Sequence, residues 1–386
     1  MSTFSRVTES DVIEPSVARG ARSEVGPAGD TPRVVFPYRP GLDVVRFLAA
    51  MWVMLAHAGA MRGGGHAVAL FFVLSGYLIG GQLVCEKFAS GTVRLPEFYF
   101  KRVTRIWIPY FIVLTGYIAL FIARGQDAVP GFYERMFGAL TYTYNLVNDI
   151  RRGIHPTWGS ANQIWSLSIE EQFYLVVPLL IGWIPVRTVV PVSLVLTVLF
   201  LWALPLYAGL ALGVLMAASL LRSQPPDVSL GVSVAAGSAL LAALGLLFAV
   251  GQTHIPQDSG VTYLLSAVAV LLAGYVELPR RTHGALRYLG LMTYSYYLIH
   301  TLPGYFLGAF YRRLVSTSEI SVWVHIGFGL LALPLSFLFV RWIELPTLRI
   351  RGELLKAGSP AVCYAPWLAW GVSLVGVIGL IYFSRH

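Results

Sequence analysis

Two ionisable residues interrupt an apolar stretch near the start of the chain, GLDVVRFLAAMWVMLAHAG at 41–59. Arg46 and His57 are eleven residues apart, close to three helical turns, so both side chains fall on one face of a predicted helix. At about 1.5 Å per residue they are about 16 Å apart along its axis, which predicts Arg46 near a membrane surface and His57 near mid-membrane. A neutral imidazole there could act as a general base, because intramembrane ionisable groups mark functional positions. The structural alternative is a histidine hydrogen-bonded between helices.

A second group is basic and lies in FYFKRVTRIWIP at 98–109. Arg102 and Arg105 are spaced i, i+3 and are therefore expected to project together from a helix, with Lys101 beside them. Guanidinium groups bind phosphate oxygens with two parallel hydrogen bonds. Together with Arg46 they predict one end of a site for a phosphate-rich ligand. The alternative is a basic anchor at the cytoplasmic surface.

Two adjacent carboxylates, Glu170 and Glu171, lie in the apolar stretch IWSLSIEEQFYLVVPLL at 164–180. Tyr174 follows them by about one helical turn and is expected to contact substrate or support the site. A buried carboxylate could orient a histidine or a substrate hydroxyl group. The alternative is an interhelical salt bridge or hydrogen bond that only fixes packing.

Further polar groups occupy the stretch YLGLMTYSYYLIHTLP at 288–303. We expect Tyr294, Ser295 and His300 to contact substrate or support the site, with polar contacts between helices as the alternative. Ser295 and His300 are five residues apart, which argues against a serine–histidine pair within one helix.

Two other motifs are interpreted as structural. Glu344 in WIELP is predicted to mark a helix stop at the inner surface. Ser75 and Gly76 lack the flanking glycines of a nucleophile elbow and are predicted to allow close helix packing.

The composition places all of these groups in a membrane. Of 386 residues, 56% are hydrophobic and 12% are charged, with a mean hydropathy of +0.68, whereas soluble proteins carry roughly 25% charged residues. We therefore expect an all-α polytopic membrane bundle. Cys85 and Cys363 indicate neither a disulfide framework nor a zinc site, so no metal is expected. No stripe of basic and aromatic residues indicates nucleic acid binding.

Eleven stretches are long and apolar enough to be candidate spans. They are residues 42–61, 66–85, 105–123, 165–185, 188–204, 206–221, 229–250, 261–276, 287–311, 320–340 and 361–383. A weaker stretch at 136–147 is a further span or a re-entrant or interfacial segment. The positions of Lys and Arg satisfy the positive-inside rule only if it does not cross, with a cytoplasmic N-terminus in the cell membrane. Residues 1–40 lack an apolar run and predict a disordered cytoplasmic tail rather than a signal peptide.

Five stretches together resemble the membrane-bound acyltransferase-3 family, which consists of integral-membrane O-acyltransferases. They are LDVVRFLAAMWVMLAHA, LFFVLSGYLI, FYFKRVTRIW, IWSLSIEEQFYL and YSYYLIHTLP, in family order. Two departures are Ala69, where the family often has Asp, and LDVVRF in place of LDGLRG.

The resemblance implies a ten-helix acyltransferase core at 41–356 and an additional transmembrane helix at 357–386. It implies transfer of an acyl group, most often acetyl from acetyl-CoA, to a hydroxyl of a surface polysaccharide, a lipid-linked saccharide or a natural product. It also implies that His57 is essential and that Arg46, Arg102 and Arg105 serve the donor. Some relatives continue into an extracytoplasmic esterase-like domain, and we expect none after His386.

The leading hypothesis is acyl transfer from a CoA thioester to a carbohydrate hydroxyl. His57 acts as the base or as an acyl carrier, and Glu170 or Glu171 orients the base or the acceptor. The expected partners are acyl-CoA, a carbohydrate or lipid-linked glycan, and membrane lipid. One alternative is acylation of a small natural product. Another is a proton-coupled transporter, because intramembrane His and Glu also form proton relays, although no inverted repeat is evident.

Overall fold

The computed structural model describes residues 38–129, 131–150, 163–220, 228–316 and 320–385. Most of the predicted tail at 1–40 therefore lies outside the described residues. Within these ranges the regular secondary structure is entirely helical, which confirms the all-α prediction.

The described residues form sixteen α-helices, two π-helical turns and three short 3-10 turns. The helices are α1 (Pro40–His57), α2 (Gly64–Ser90), α3 (Leu95–Arg102), α4 (Ile108–Ala123), α5 (Phe132–Leu140), α6 (Tyr144–Ile150), α7 (Ile164–Trp183), α8 (Val189–Ala203), α9 (Pro205–Leu220), α10 (Leu230–Gly251), α11 (Gly260–Ala273), α12 (His283–Ile299), α13 (Leu302–Val315), α14 (Val322–Phe339), α15 (Leu345–Lys356) and α16 (Pro360–Arg385). The π turns are Val103–Trp107, between α3 and α4, and Val340–Glu344, between α14 and α15.

Eight helical stretches among the described residues are long and apolar enough to cross a membrane. They are Pro40–His57, Gly64–Ser90, Leu95–Ala123, Ile164–Trp183, Val186–Ala203, Leu230–Gly251, Val322–Lys356 and Pro360–Leu380. The apolar helices α9 and α11 are shorter. Together these ten correspond to ten of the eleven predicted spans, and the protein is a multi-pass membrane protein.

The predicted single span at 287–311 is wrong in one respect, because the structure divides it into two helices. Helix α12 ends at Ile299 and α13 begins at Leu302, so His300 and Thr301 lie in a break. Pro303 lies in the first turn of α13, where its missing N–H group is tolerated. The apolar pattern continues through the break and therefore hides it. His300 consequently lies at a helix end rather than within a span.

The stretch at 136–147 does not cross the membrane. Helices α5 and α6 have nine and seven residues, roughly 14 and 11 Å, too short for a span. The chain enters α5 from the end of α4. The turn between α5 and α6 nevertheless packs beside the start of α4, where Tyr110 donates a 2.8 Å hydrogen bond to the Ala139 carbonyl oxygen. Tyr142 in that turn contacts the rings of Trp107 and Tyr110. The segment is therefore re-entrant, one of the two non-crossing forms expected.

The two π turns share a sequence feature. Pro109 and Pro346 each follow a π turn by two residues. A proline cannot donate its backbone hydrogen bond and its ring crowds the preceding turn, so the wider π turn accommodates it within one continuous helix. The predicted helix stop at Glu344 is consequently wrong, because the helix continues to Lys356.

Glycines bring α2 and α9 into close contact. A Cβ atom on Gly76 would lie 2.1 Å from the carbonyl oxygen of Leu210, and one on Gly213 would lie 2.2 Å from that of Val73. Only glycine allows backbones this close, as in other membrane helix interfaces. The predicted packing role is confirmed for Gly76.

Helix α16 packs against α3 and the re-entrant segment. A Cβ atom on Gly379 would lie 2.2 Å from the Phe137 ring, and one on Gly376 would lie 2.8 Å from the Thr143 methyl group. These close approaches join the additional C-terminal helix to α5 and to the turn that follows it.

Candidate active site

His57 and His300 form a directly hydrogen-bonded pair. Nδ1 of His57 lies 2.7 Å from Nε2 of His300, and the two rings are parallel with centroids 5.0 Å apart. His300 is buried, whereas the His57 side chain is exposed. His57 is the last residue of α1, so the apolar stretch at 41–59 does not continue as one helix beyond it. Gly59, with φ +76°, follows it in a backbone conformation that L side chains rarely adopt and turns the chain away.

The hydrogen bonds determine which ring nitrogen carries each proton. Nδ1 of His300 lies 2.9 Å from the Tyr297 carbonyl oxygen, which can only accept, so Nδ1 is the donor. If His300 is neutral, its other nitrogen, Nε2, carries no proton and must accept a hydrogen bond. The donor of that hydrogen bond is the N–H group at Nδ1 of His57. This assignment leaves the lone pair of a neutral His57 on Nε2. The His57 ring is therefore oriented and held in the tautomer that a general base requires.

Tyr297 connects this pair to the carboxylates. Its ring contacts the rings of His300 and Phe71, and its hydroxyl group forms a 2.7 Å hydrogen bond with Ser166. The same hydroxyl group is within electrostatic range of Glu170. The buried side chain of Tyr297 thus occupies the space between the histidines and the interior acids.

The two adjacent glutamates point to different neighbours. Ser75 donates a 2.7 Å hydrogen bond to Glu170, and the Trp107 indole donates a 2.7 Å hydrogen bond to Glu171. Neither hydrogen bond involves a histidine. The structure therefore brings His300 to His57, while Glu170 and Glu171 lie deeper in the bundle among aromatic and basic residues.

The arginines lie toward the end of the bundle where α1 begins. Arg46 forms a 2.9 Å salt bridge with Asp43. The guanidinium group of Arg102 lies over the Tyr174 ring, 5.3 Å from its centroid, and within electrostatic range of both glutamates. Arg105 instead lies within range of Asp43 and Glu344.

The expectation that Arg102 and Arg105 project together as on an α-helix requires correction. Arg105 lies inside the π turn Val103–Trp107, which changes the angular spacing between the two residues. Although each guanidinium group is within electrostatic range of the other, their remaining neighbours differ. They form two adjacent positions rather than one shared face.

Glu344 is the residue that the sequence interpretation undervalued. It is 2% exposed, accepts a hydrogen bond from Ser295, and leaves its Oε2 atom without a partner among the described residues. Nearby, Tyr294 donates a 3.0 Å hydrogen bond to the Ile106 carbonyl oxygen in the other π turn. The sequence does contain an indication of this role: Glu344 is an acid inside a long apolar stretch, and in a membrane protein such an acid marks a functional position.

A small cavity lies beside Glu171. Its volume of about 20 Å³ has room for roughly one water molecule. It is lined by Tyr99, Arg102, Val103, Trp107, Tyr142, Glu171, Gln172, Tyr174, Leu175, Ala369 and Ser373. Glu171 Oε1 and the Tyr142 hydroxyl group are buried there without a partner among the described residues. Tyr142 has φ +55°, a strained backbone conformation of the kind that persists at functional sites.

Comparison with known proteins bears directly on this arrangement. A family model described as an acyltransferase domain, of the acyltransferase-3 type, matches residues 39–341. The chain belongs to this acyltransferase family. The matched region contains the histidine pair, both glutamates and the arginines at 46, 102 and 105. It ends three residues before Glu344.

Two curated proteins to which the chain is similar come from Staphylococcus aureus. "Putative O-acetyltransferase SAS0844" of strain MSSA476 is 28% identical over 381 residues, covering 85% of this chain and 60% of the relative. "O-acetyltransferase OatA" of strain NCTC 8325 is 25% identical over 374 residues, covering 85% of this chain and 59% of the relative. The chain thus spans about 60% of the length of these relatives. No solved structure matches it.

Proposed function

We propose that this protein is an integral-membrane O-acyltransferase that moves an acetyl group from acetyl-CoA to a hydroxyl group of a carbohydrate, such as a surface polysaccharide or a lipid-linked saccharide. The observation that carries the proposal is the hydrogen-bonded series from Nδ1 of His57 through His300 to the Tyr297 carbonyl oxygen. It leaves the basic nitrogen of an exposed histidine free for a substrate. The names of the relatives, which describe O-acetyltransferases, support acetyl as the transferred group.

The arginines supply the donor side of this proposal. Arg46, Arg102 and Arg105 lie toward one end of the bundle, and His57 closes α1 about 16 Å further along its axis. Guanidinium groups hold the phosphates of CoA, and its long pantetheine arm carries the thioester toward His57. By the positive-inside rule this end and the N-terminus face the cytoplasm of the cell that carries the protein in its membrane.

In the transfer step, Nε2 of His57 takes the proton of the acceptor hydroxyl group as its oxygen attacks the thioester carbonyl carbon. The carbon–sulfur bond then breaks, and His57 donates the same proton to the sulfur of the departing CoA thiolate. The products are an acetyl ester and CoA with a free thiol. While His57 is protonated, Nδ1 keeps its hydrogen bond to His300, so the cation is stabilised without rearrangement.

The test compares His57→Ala with His254→Ala in purified protein supplied with labelled acetyl-CoA and extracted cell-envelope glycans. His254 is an exposed loop histidine and serves as the matched control. We expect His57→Ala to reduce transfer about 10²–10⁴-fold, the range for loss of a general base. Full transfer by this variant would contradict the proposal.

The same reaction distinguishes the acceptor classes. Label in glycan supports the carbohydrate acceptor, whereas label only in a small hydroxylated natural product assigns the enzyme to that substrate class. Vesicle uptake of a substrate without release of free CoA would instead favour a proton-coupled transporter.

A further inference from the structure

Arg351 occupies an unusual electrostatic position. It lies on α15, which packs against the π turn Val103–Trp107, and its side chain is partly buried. Among the described residues, the charged groups within its electrostatic range are two other cations, Arg102 and Arg105. In the described part of the chain, neither Arg105 nor Arg351 makes a hydrogen bond or an ion pair.

Three other basic residues at this end of the bundle, Arg46, Arg94 and Lys101, are paired with acids. Arg94 lies 2.8 Å from Glu97, and Lys101 lies 3.4 Å from the same residue. Arg46 is paired with Asp43. Among the described residues Arg349 also has no ion pair, but its side chain is exposed to solvent, whereas Arg105 and Arg351 are unpaired and partly buried.

The acids near these arginines do not form ion pairs with them in the described residues: Arg102 lies within electrostatic range of Glu170 and Glu171 without a salt bridge to either. Glu344 and Asp43 lie within electrostatic range of Arg105 but beyond ion-pair distance. Glu344 accepts a hydrogen bond from Ser295, and Asp43 accepts one from Arg46. Three guanidinium groups that are partly withdrawn from water repel one another. A bound anion with several oxygens offsets this repulsion and accepts charge-assisted hydrogen bonds from the guanidinium N–H groups.

We propose that Arg351 joins Arg102 and Arg105 in a three-arginine site for the phosphate-bearing end of the acyl donor. This inference rests on the proposed function for the identity of the donor. It assigns a binding role to a residue ten positions beyond the matched family region. Arg351 lies seven residues beyond Glu344, about 10 Å along the helix toward the end of the bundle where α1 begins, which places it at the mouth of the site.

The experiment measures CoA binding by calorimetry to protein in dodecyl maltoside, a detergent without phosphate. Arg351→Gln is compared with Arg349→Gln, an exposed arginine two positions earlier on the same helix and therefore on a different face. We expect Arg351→Gln to weaken CoA binding at least about tenfold, since a charge-assisted contact is lost. Arg349→Gln should bind within about twofold of the parent. Thermal unfolding and size-exclusion profiles check that both variants fold.

A second arm uses nanodiscs of phosphatidylglycerol to separate the two sources of phosphate. An effect of Arg351→Gln on CoA binding in both arms supports the donor site. An effect confined to lipid-dependent thermal stability assigns Arg351 to a lipid headgroup and overturns its place in the donor site. Equal behaviour of the two variants in both arms overturns the inference entirely.

A third titrant distinguishes failure of the inference from failure of the proposed function. If the parent protein does not bind CoA, the proposed donor is wrong. Inorganic pyrophosphate then tests the arginines alone, and weaker pyrophosphate binding by Arg351→Gln than by Arg349→Gln still supports the three-arginine site.

Discussion

The histidine end and the arginine end of α1 differ in how their polar groups are satisfied. His57 and His300 form a directional series of hydrogen bonds that ends on a backbone carbonyl oxygen. Arg105 and Arg351, in contrast, have no hydrogen-bond or ion-pair partner in the described ranges. Fixed hydrogen bonds set the geometry of a side chain before any ligand arrives, whereas unpaired cations gain a partner only on binding. The base, His57, is therefore oriented before substrate binds, whereas Arg105 and Arg351 acquire their partner only when the phosphate groups of the donor bind.

The largest effect is expected when the hydrogen bond between His57 and His300 is disrupted. His300→Lys places a group with donors and no acceptor against Nδ1 of His57 and forces the proton onto Nε2. We expect a loss of acetyl transfer of about 100-fold or more. His300→Gln keeps an acceptor oxygen and should lose no more than about tenfold. A lysine variant as active as the glutamine variant would show that the tautomer does not matter.

The next effect concerns the buried acid between the two ends. Glu344→Ala leaves the Ser295 hydroxyl group without its acceptor and removes an acid within range of Arg105. We expect a loss of about 2 kcal/mol in unfolding free energy. The control is Glu353→Ala, an exposed position on α15. Equal thermal unfolding temperatures for the two variants would contradict this reading of Glu344.

A comparable effect is expected where α2 meets α9, one residue from the Ser75 hydrogen bond to Glu170. Gly76→Ala would place a methyl group 2.1 Å from the Leu210 carbonyl oxygen, so the helices must separate. Overpacking of this kind costs about 1–3 kcal/mol. Gly245→Ala in α10 has open space around it and should be neutral or slightly stabilising. Thermal unfolding in detergent compares the two, and equal destabilisation would show that the contact is not tight.

The smallest effect sharpens the contrast between paired and unpaired cations. Lys101 is exposed and already paired with Glu97. Lys101→Gln should therefore change CoA affinity by less than about twofold, whereas Arg105→Gln should weaken it at least about tenfold. Calorimetry measures both variants. A loss with Lys101→Gln equal to that with Arg105→Gln would mean that net charge, rather than particular unpaired arginines, determines binding.

The sequence predicted those parts of the site that local composition reveals. Arg46, His57 and the two glutamates were identifiable because ionisable residues are costly inside apolar helices. The all-α bundle and most of its spans followed from the length of the apolar runs.

Long-range partners could not be predicted in the same way. His57 and His300 are 243 residues apart in sequence, and no local pattern joins them. Ser75 and Trp107 resemble ordinary packing residues until Glu170 and Glu171 are placed beside them. The π turn at Val340–Glu344 was missed because the following Pro346 was read as a helix end, although a wider turn can carry the helix past a proline. The turn at Val103–Trp107 was missed because the apolar stretch at 105–123 was read as one regular helix.

The most direct test of the two-ended account measures CoA affinity and the rate of acetyl transfer at saturating acetyl-CoA in the same two variants. The account predicts that His57→Ala binds CoA like the parent protein and loses transfer about 10²–10⁴-fold. It predicts that Arg105→Gln binds CoA at least about tenfold more weakly and recovers most of its transfer rate at saturation. A His57→Ala protein that transfers acetyl groups at the parent rate, or that loses transfer only through weaker CoA binding, would contradict it.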